Sequence, residues 1–299
     1  MLRELGIIGA GGVIGKTLAG VIERDPFFAE SGHLRLKKFG RDSEIPDLDI
    51  VFLCTDSPES VSFYEKLKNR TGFIIDLSSA FRMDKNVPLV IPEINASDIN
   101  HHTRLIASPN CTTSGLVLTL HYLKPLTDFT EVTVCSYQAL SGGGQRLIEE
   151  ANREDSIHYR NCVPHIGKID ENGYCEEELK LMNETRKILH ADSLAVSANV
   201  ARVPVVNGHS MYASVKTRVR VDLKSVEVAW SEGEGLFYNG EIHTPKRCSG
   251  RDEVFVSRLR RDLFNENRIH YWITFDNLLK GGALNAWQIA KHILREVRS

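Results

Sequence analysis

The chain reads as an α/β protein in two parts, a Rossmann-type parallel sheet followed by an α+β domain with a mixed or antiparallel sheet. Three observations carry that reading. A short apolar strand, Leu5-Gly6-Ile7-Ile8, runs into the glycine-rich turn Gly9-Ala10-Gly11-Gly12-Val13-Ile14-Gly15 and then a helix through Ile22. Two continuous apolar runs, Ile50–Cys54 and Gly72–Asp76, suit parallel strands covered on both faces. Farther on, alternating runs follow one another with few helices between them, which is the signature of an antiparallel or mixed sheet.

The elements follow in order. Gly9, Gly12 and Gly15 stand at G-x-x-G-x-x-G spacing inside an apparent βαβ unit, where glycine lets backbone approach a pyrophosphate resting on a helix N-terminus. Leu34–Phe39 is the second strand, ending at Gly40-Arg41-Asp42. An NAD site places an acid at this strand end, and an NADP site a cation. Lys37, Lys38 and Arg41 favour the 2′-phosphate of NADP over the bare ribose that Asp42 would suit. Ser57-Pro58 marks a loop at a strand's carboxyl end, and Ser60–Lys68 a crossover helix. In Leu77-Ser78-Ser79-Ala80-Phe81-Arg82 the arginine lies near two hydroxyls, a setting for a phosphate or carboxylate or for a surface salt bridge. Val87–Asn95 is an extended, proline-punctuated connector, and Leu105–Ala107 a short strand.

That strand delivers the chain to Ser108-Pro109-Asn110-Cys111-Thr112-Thr113-Ser114-Gly115, which opens into the buried helix Leu116–Leu123 with Asn110 or Thr112 as its N-cap. A thiol in the first turn of a helix sits near unpaired N–H groups and the positive end of the dipole, both of which favour the thiolate. The same N–H groups suit an oxyanion once sulfur has attacked a carbonyl. An inert buried cysteine is the alternative. Val132–Gln138 alternates as a strand, and the flexible loop Ala139–Gln145 leads to a helix from Arg146. Strands are expected at Tyr212–Val221, Arg251–Leu259 and Ile269–Phe275. Past a Gly281-Gly282 turn, Ala283, Leu284, Trp287, Ala290, Ile293, Leu294 and Val297 recur on one helix face.

Composition narrows the function. With 42% hydrophobic and 25% charged residues and a formal net charge of −2, the chain has an ordinary globular balance. It carries no electrostatic footprint for nucleic acid or an anionic membrane. No apolar run approaches the roughly 18 residues of a membrane span. Six scattered cysteines with no C-x-x-C pair and no metal-ligand spacing point to a reducing cytoplasm and to no bound metal.

Several blocks spread along the chain resemble the aspartate-β-semialdehyde dehydrogenase family: Ser108–Thr112, Ser136–Gly142, Asp276–Gly281, Phe81–Met83 through Glu93, Glu176–Thr185, and Val196–Val205 with Asn207–Ser210. The resemblance implies NADPH-dependent reduction of β-aspartyl phosphate to aspartate semialdehyde with release of phosphate, in the biosynthesis of lysine and diaminopimelate, threonine and methionine. It implies that Cys111 forms a thioester, that His209 is the general acid/base and that Gln138 positions the acyl group. Arg202 would pair with the substrate carboxylate and Glu177 with its ammonium, while Arg82, Lys180 and Asn110 would hold the phosphate. NADP would be bound by Gly9, Gly11, Gly12, Val13, Ile14, Gly15, Arg41, Ser141, Gly142 and Asn277. An NADP-binding domain over 1–108, completed by a C-terminal helix 277–299, and a catalytic and dimerisation domain over 109–276 are expected, in a homodimer or dimer of dimers. Besides further copies of the chain, the partners are then small molecules (β-aspartyl phosphate, aspartate semialdehyde and phosphate), with no nucleic acid and no membrane.

The chain departs from the family at Leu77, where asparagine is common, at Thr55-Asp56-Ser57-Pro58, which replaces a glycine-rich loop, and in a shortened stretch between Glu150 and Tyr174. Pro164–Lys168 still looks like the family's connector. Asp76-Leu77-Ser78 also resembles N-acetyl-γ-glutamyl-phosphate reductases, which stand as the alternative enzyme. An inactive dinucleotide-binding paralogue is the alternative outside catalysis.

Overall fold

The computed structural model describes residues 3–100 and 102–296, so Val297 of the expected helical stripe lies outside the described residues. The chain divides into two compact units, residues 1–109 with 282–299, and residues 110–281. The sequence expectation set the joins at 108/109 and 276/277.

In the first unit, β1 (Arg3–Ile8), β2 (Leu34–Phe39), β3 (Ile50–Leu53), β4 (Phe73–Asp76) and β5 (Leu105–Ala107) form a five-stranded parallel sheet. Its order is β2-β1-β3-β4-β5. Crossovers are made by α1 (Val13–Arg24), the short α2 (Pro26–Ala29), α3 (Ser57–Leu67) and α4 (Pro92–Asn95). Every residue of β3 is buried, as its unbroken apolar run requires. Helix α3 begins at Ser57, inside the expected loop, and not at Ser60. Asp56 caps it by accepting from the Glu59 N–H, and Pro58 falls in the first turn, where a missing N–H costs nothing. The connector expected to be extended likewise closes on a helical turn, with Pro92 opening α4.

The second unit opens with α5 (Cys111–Leu123), followed by β6 (Phe129–Gln138), α6 (Gly144–Glu150), α7 (Glu176–Ile188), β7 (Ala195–Arg202) and β8 (His209–Thr217). Then come α8 (Leu223–Glu232), β9 (Leu236–Phe237), α9 (Pro245–Cys248), β10 (Val254–Arg261) and β11 (Arg268–Phe275). The sheet is mixed, ordered β7-β6-β8-β11-β10-β9, with β6/β7 and β9/β10 parallel and the other pairs antiparallel. Helix α5 starts at Cys111, so the polar Thr112–Gly115 stretch is helical. Asn110 is its N-cap and spares the first turn an orphaned donor. Strand β8 starts at His209 and not at Tyr212, and β10 runs from Val254 and not Arg251.

One face of this sheet, with Val132, Val134, Met211, Ala213, Tyr271 and Ile273, is buried. The other carries rings: Tyr137 stacks on Trp272 at 5.5 Å, and Tyr212 on His270 at 5.7 Å. Finally α10 (Leu284–Glu296) returns to the first unit, entered through a π-helical turn, Leu279–Ala283, where the sequence suggests a glycine turn. Its Trp287 packs against Phe27 and Phe28 and donates to Asp25 at 2.7 Å. Lys291 donates to the same carboxylate at 2.8 Å. Among the described residues no helix is long and apolar enough to cross a membrane.

Candidate active site

The ends of β6, β7 and β11 and the start of β8 share one end of the mixed sheet, and Gln138, Arg202 and His209 sit there. Cys111, at the first position of α5, places its Sγ 3.2 Å from His209 Nε2. His209 is fully buried, and its Nδ1 accepts the Ala139 N–H at 3.0 Å. Because that nitrogen accepts, the proton of the neutral ring belongs on Nε2, facing the sulfur. Burial, with the Arg202 charge second, holds the imidazole well below its ordinary value, so it is neutral at pH 7. Ala139 also uses its carbonyl, which accepts from Arg202 Nη1 at 2.7 Å. A single residue's backbone thereby orients both the imidazole and the guanidinium.

A second set of bonds fixes the helix that carries the thiol. The Asn110 side-chain oxygen accepts from the Thr112 N–H at 2.9 Å and from its hydroxyl at 2.6 Å. Its side-chain nitrogen donates to Glu177 at 2.9 Å, and its backbone N–H to Glu184 at 2.6 Å. Glu177 also accepts from Gln138 at 3.2 Å and pairs with Lys180 at 3.5 Å. Glu177 and Glu184 are both buried on α7, where hydrogen bonds offset the desolvation of their charges. The connector after Cys162 ties β7 and α7 together. Val163 pairs with Arg202 in both directions at 2.9 and 2.8 Å, and the Ile166 carbonyl accepts from the Glu177 N–H at 3.3 Å. The stretch expected to be shortened thus holds the segment that bridges Arg202 and Glu177.

Two glycines belong to this centre for steric reasons. A Cβ on Gly281 would lie 2.7 Å from the Cys111 Cβ, and one on Gly142 would lie 2.9 Å from Arg202 Nη1 and 3.1 Å from His209 Cε1. Ser141 and Asn277, expected at the cofactor, are buried and hydrogen-bonded to each other at 3.1 Å. Asn277 accepts from the Gly208 N–H at 3.0 Å, which anchors the turn immediately before His209.

The remaining expected residues lie in the first unit. Gly9 has a φ of +83°, and a Cβ there would come 2.4 Å from the Cys54 carbonyl oxygen. A Cβ on Gly15 would come 2.3 Å from the Gly9 carbonyl oxygen. Those two glycines let the turn close, while Gly11 and Gly12 are exposed, with open space beside Gly11. Gly12 caps α1 without a side-chain hydrogen bond, leaving Val13, Ile14 and Gly15 as a bare helix start. A bare turn at a helix N-terminus, at the carboxyl end of β1, fits a dinucleotide pyrophosphate. Lys37 and Lys38 are held by Glu4 and Glu23, whereas Arg41 is exposed with one nitrogen 3.2 Å from Glu59. Arg82 is buried and donates to the carbonyls of Ser108 at 2.9 Å and Leu77 at 2.8 Å. At Leu77 it is the backbone that takes part in this bonding.

Glu184 and the Ala139 backbone are the members of this centre that sequence reasoning missed, while Gly281 was expected only as part of a turn near the nicotinamide and not beside Cys111. Glu184 had a signal, since it lies on the helix face of Glu177 and Lys180 at spacings of seven and four. Ala139 acts through its peptide groups, so its residue type carries none.

A thiol against a neutral imidazole, on a chain that also bears a turn shaped for a dinucleotide, is the equipment of an oxidoreductase that works through a covalent intermediate. Comparison with known proteins agrees and is more specific. Residues 30–102 match the family profile described as semialdehyde dehydrogenase, NAD binding domain, and residues 123–280 match semialdehyde dehydrogenase, dimerisation domain. The aspartate-semialdehyde dehydrogenase of Bacillus subtilis is 36% identical over 75% of this chain and 73% of its own. That of Aquifex aeolicus is 31% identical over 98% of both. The crystal structure of aspartate semialdehyde dehydrogenase II complexed with ASA from Vibrio cholerae superposes with a TM-score of 0.90 at 27% identity, over 99% of both chains. The chain belongs to the aspartate-semialdehyde dehydrogenase family, and residues 30–102 of its first unit match a nicotinamide dinucleotide-binding domain.

Two outcomes follow. Gly281→Ala forces the Cys111 backbone to move, so its alkylation by iodoacetamide and its turnover fall about tenfold or more, while overpacking costs stability only ~1–3 kcal/mol. Unchanged alkylation would show that the close approach is not needed. The pH dependence of stability has a defined sign. His209 titrates below its unfolded value of 6.5, so the unfolded chain binds the extra proton first, and stability drops as pH falls from about 6.5 toward the folded pKa. Chemical denaturation of the wild type and of His209→Gln at pH 7.5 and 5.5 measures this. The wild type loses more on acidification, and an equal loss in both would contradict the assignment.

Proposed function

We propose that the chain reduces β-aspartyl phosphate to aspartate semialdehyde with NADPH, releasing phosphate, by way of a thioester on Cys111. The observation that carries this reading is the 3.2 Å contact between Cys111 Sγ and a His209 ring whose other nitrogen is already occupied. The Cys111 thiolate, stabilised by the Nε2–H and by the start of α5, attacks the acyl carbon, and the C–O bond to phosphate breaks. Gly9, Gly11, Gly12, Val13, Ile14 and Gly15 would hold NADPH, which would supply a hydride to the thioester carbon. Gln138 orients the acyl group, and as the C–S bond breaks the sulfur leaves as thiolate toward the waiting Nε2–H. His209 therefore serves as a hydrogen-bond donor from Nε2, holding the sulfur as thiolate before attack and after release. Taking a proton there would require a tautomer whose Nδ1–H points at the Ala139 N–H.

Arg202 and Glu177, of opposite charge and buried in one cluster, support recognition of a substrate carrying both a carboxylate and an ammonium. Lys180, Asn110 and Arg82 are the phosphate ligands in this reading. Ser141, Gly142 and Asn277 shape the nicotinamide side, with Ser141 and Asn277 also anchoring the His209 turn. Arg41, exposed at the end of β2, reads the 2′-phosphate and makes NADP the preferred cofactor. The ring-bearing face of the mixed sheet is where two copies meet in a homodimer. Cysteines at positions 54, 111, 135, 162, 175 and 248 that form no disulfide support the cytoplasm as the setting, and the likeness to aspartate-semialdehyde dehydrogenases supports biosynthesis of lysine, diaminopimelate, threonine and methionine as the purpose.

With aspartate semialdehyde, phosphate and NADP+, the purified chain produces a phosphate-dependent rise in NADPH absorbance. Cys111→Ser lowers that rate by roughly a thousandfold or more, and NAD+ supports it less well than NADP+. Preference for N-acetylglutamate semialdehyde would overturn the substrate. Turnover surviving in Cys111→Ser would overturn the nucleophile.

A further inference from the structure

We propose that the turn joining β10 to β11 is a dimer clasp, with Leu263 and Phe264 as anchors that seat on a second copy of this chain. The proposal rests on the dimer reading above and adds to it a contact outside the sheet face. Leu263 is 92% exposed and Phe264 97%, more than any other large apolar side chain among the described residues. Val219, in the neighbouring turn after β8, is 63% exposed. The two turns are joined, since the Thr217 N–H and hydroxyl both donate to the Asn267 carbonyl at 2.7 and 2.9 Å. Arg261 spans them as well, donating to the carbonyls of Glu266 and Val221. Three exposed apolar side chains therefore lie on two adjoining turns at one end of the mixed sheet.

The presentation is rigid. Asp262 Oδ1 accepts the N–H groups of Phe264 and Asn265, each at 2.8 Å. Asn265 accepts the Asn267 N–H at 3.0 Å on its side chain and the Arg268 N–H at 3.0 Å on its carbonyl. A pair of side chains on a pinned turn loses little conformational entropy when it docks, so the apolar area it buries goes largely into affinity. Bare Leu and Phe side by side on such a turn, with no partner, would be an aggregation liability.

The partner is a second copy because the turn is continuous with the face that two copies share. Asp262 Oδ2 lies 2.7 Å from His270 Nε2, and His270 Nδ1 lies 2.8 Å from the Tyr212 hydroxyl. Tyr212 and His270 stack on the face that also bears Tyr137 and Trp272. One polar chain thus connects the exposed tip to the ring-bearing surface, and the whole of it falls within residues 123–280, the stretch that matches a dimerisation domain. A two-fold interface uses every contact twice, so a dimer carries two clasps and a change at the tip counts double.

Sedimentation velocity over a dilution series tests the clasp, using the full chain, the Leu263→Ser/Phe264→Ser double variant, and Trp272→Glu at the face itself. The wild type dimerises, Trp272→Glu is monomeric at the same concentrations, and the tip variant raises the dimer Kd by about a hundredfold with an unchanged near-ultraviolet spectrum. A tip variant that dimerises like the wild type while Trp272→Glu does not would overturn the clasp and leave the dimer reading standing. A wild type that stays monomeric would overturn the dimer reading first. A tip variant with wild-type Kd that loses binding to phosphatidylglycerol vesicles would hand the tip to a membrane surface and overturn the proposal. Hydroxyl-radical footprinting of the wild type needs no variant: Phe264 is protected at dimer concentrations, and equal oxidation at both would refute the contact.

Discussion

The hydrogen bond from the Ala139 N–H to His209 Nδ1 is the constraint on which the rest of the centre depends. It sets the ring plane, and it decides which nitrogen carries the proton that faces Cys111. A buried imidazole without such a partner would lose a hydrogen bond in low dielectric, at a cost of about 1–3 kcal/mol. It would also be free to adopt either tautomer. The donor here is a main-chain group at the end of β6, so side-chain motion cannot remove it. The same residue's carbonyl accepts from Arg202, which couples the orientation of the imidazole to that of the guanidinium.

The sheet topology explains how these groups meet. Strands β6 and β7 run parallel and end together, bringing Gln138 and Arg202 side by side, while the antiparallel β8 begins at that end with His209. Onto this end α7 brings Glu177 and Glu184, and both carboxylates are spent on Asn110, the cap of the helix that starts at Cys111. Buried carboxylates are costly unless their oxygens are filled. The amides of Asn110 and Gln138 and the ammonium of Lys180 fill those of Glu177. Electrostatics and capping thus place Cys111 with little freedom left in its backbone.

Much of this was legible in the sequence. The glycine turn, the apolar runs of β3 and β4 and the alternation along β6 each state their element through a periodicity or a residue type. Cys111 could be singled out from its place at a helix start, whereas His209, Arg202 and Glu177 were named through the family resemblance of the blocks that hold them. What stayed hidden has physical reasons. Element ends moved where capping decided them: α3 reached back to Ser57 because Asp56 and Pro58 favour a helix start, and α5 took in Thr112–Gly115 because Asn110 could cap it. Gly281-Gly282 read as a turn, yet the chain continues through them as π-helix, because a glycine is needed beside Cys111. Backbone groups such as those of Ala139 leave no trace in residue identity, and Glu184 was visible only as helical spacing.

The central claim, that sulfur at position 111 carries the acyl group, has one direct measurement. The chain is mixed with aspartate semialdehyde and NADP+ in the absence of phosphate, quenched in acid and examined by intact-mass and peptide mass spectrometry. The account predicts a single aspartyl group attached to the peptide bearing Cys111 and released when phosphate is added. Reduction of NADP+ with no adduct on that peptide, or with the adduct on another cysteine, would contradict it.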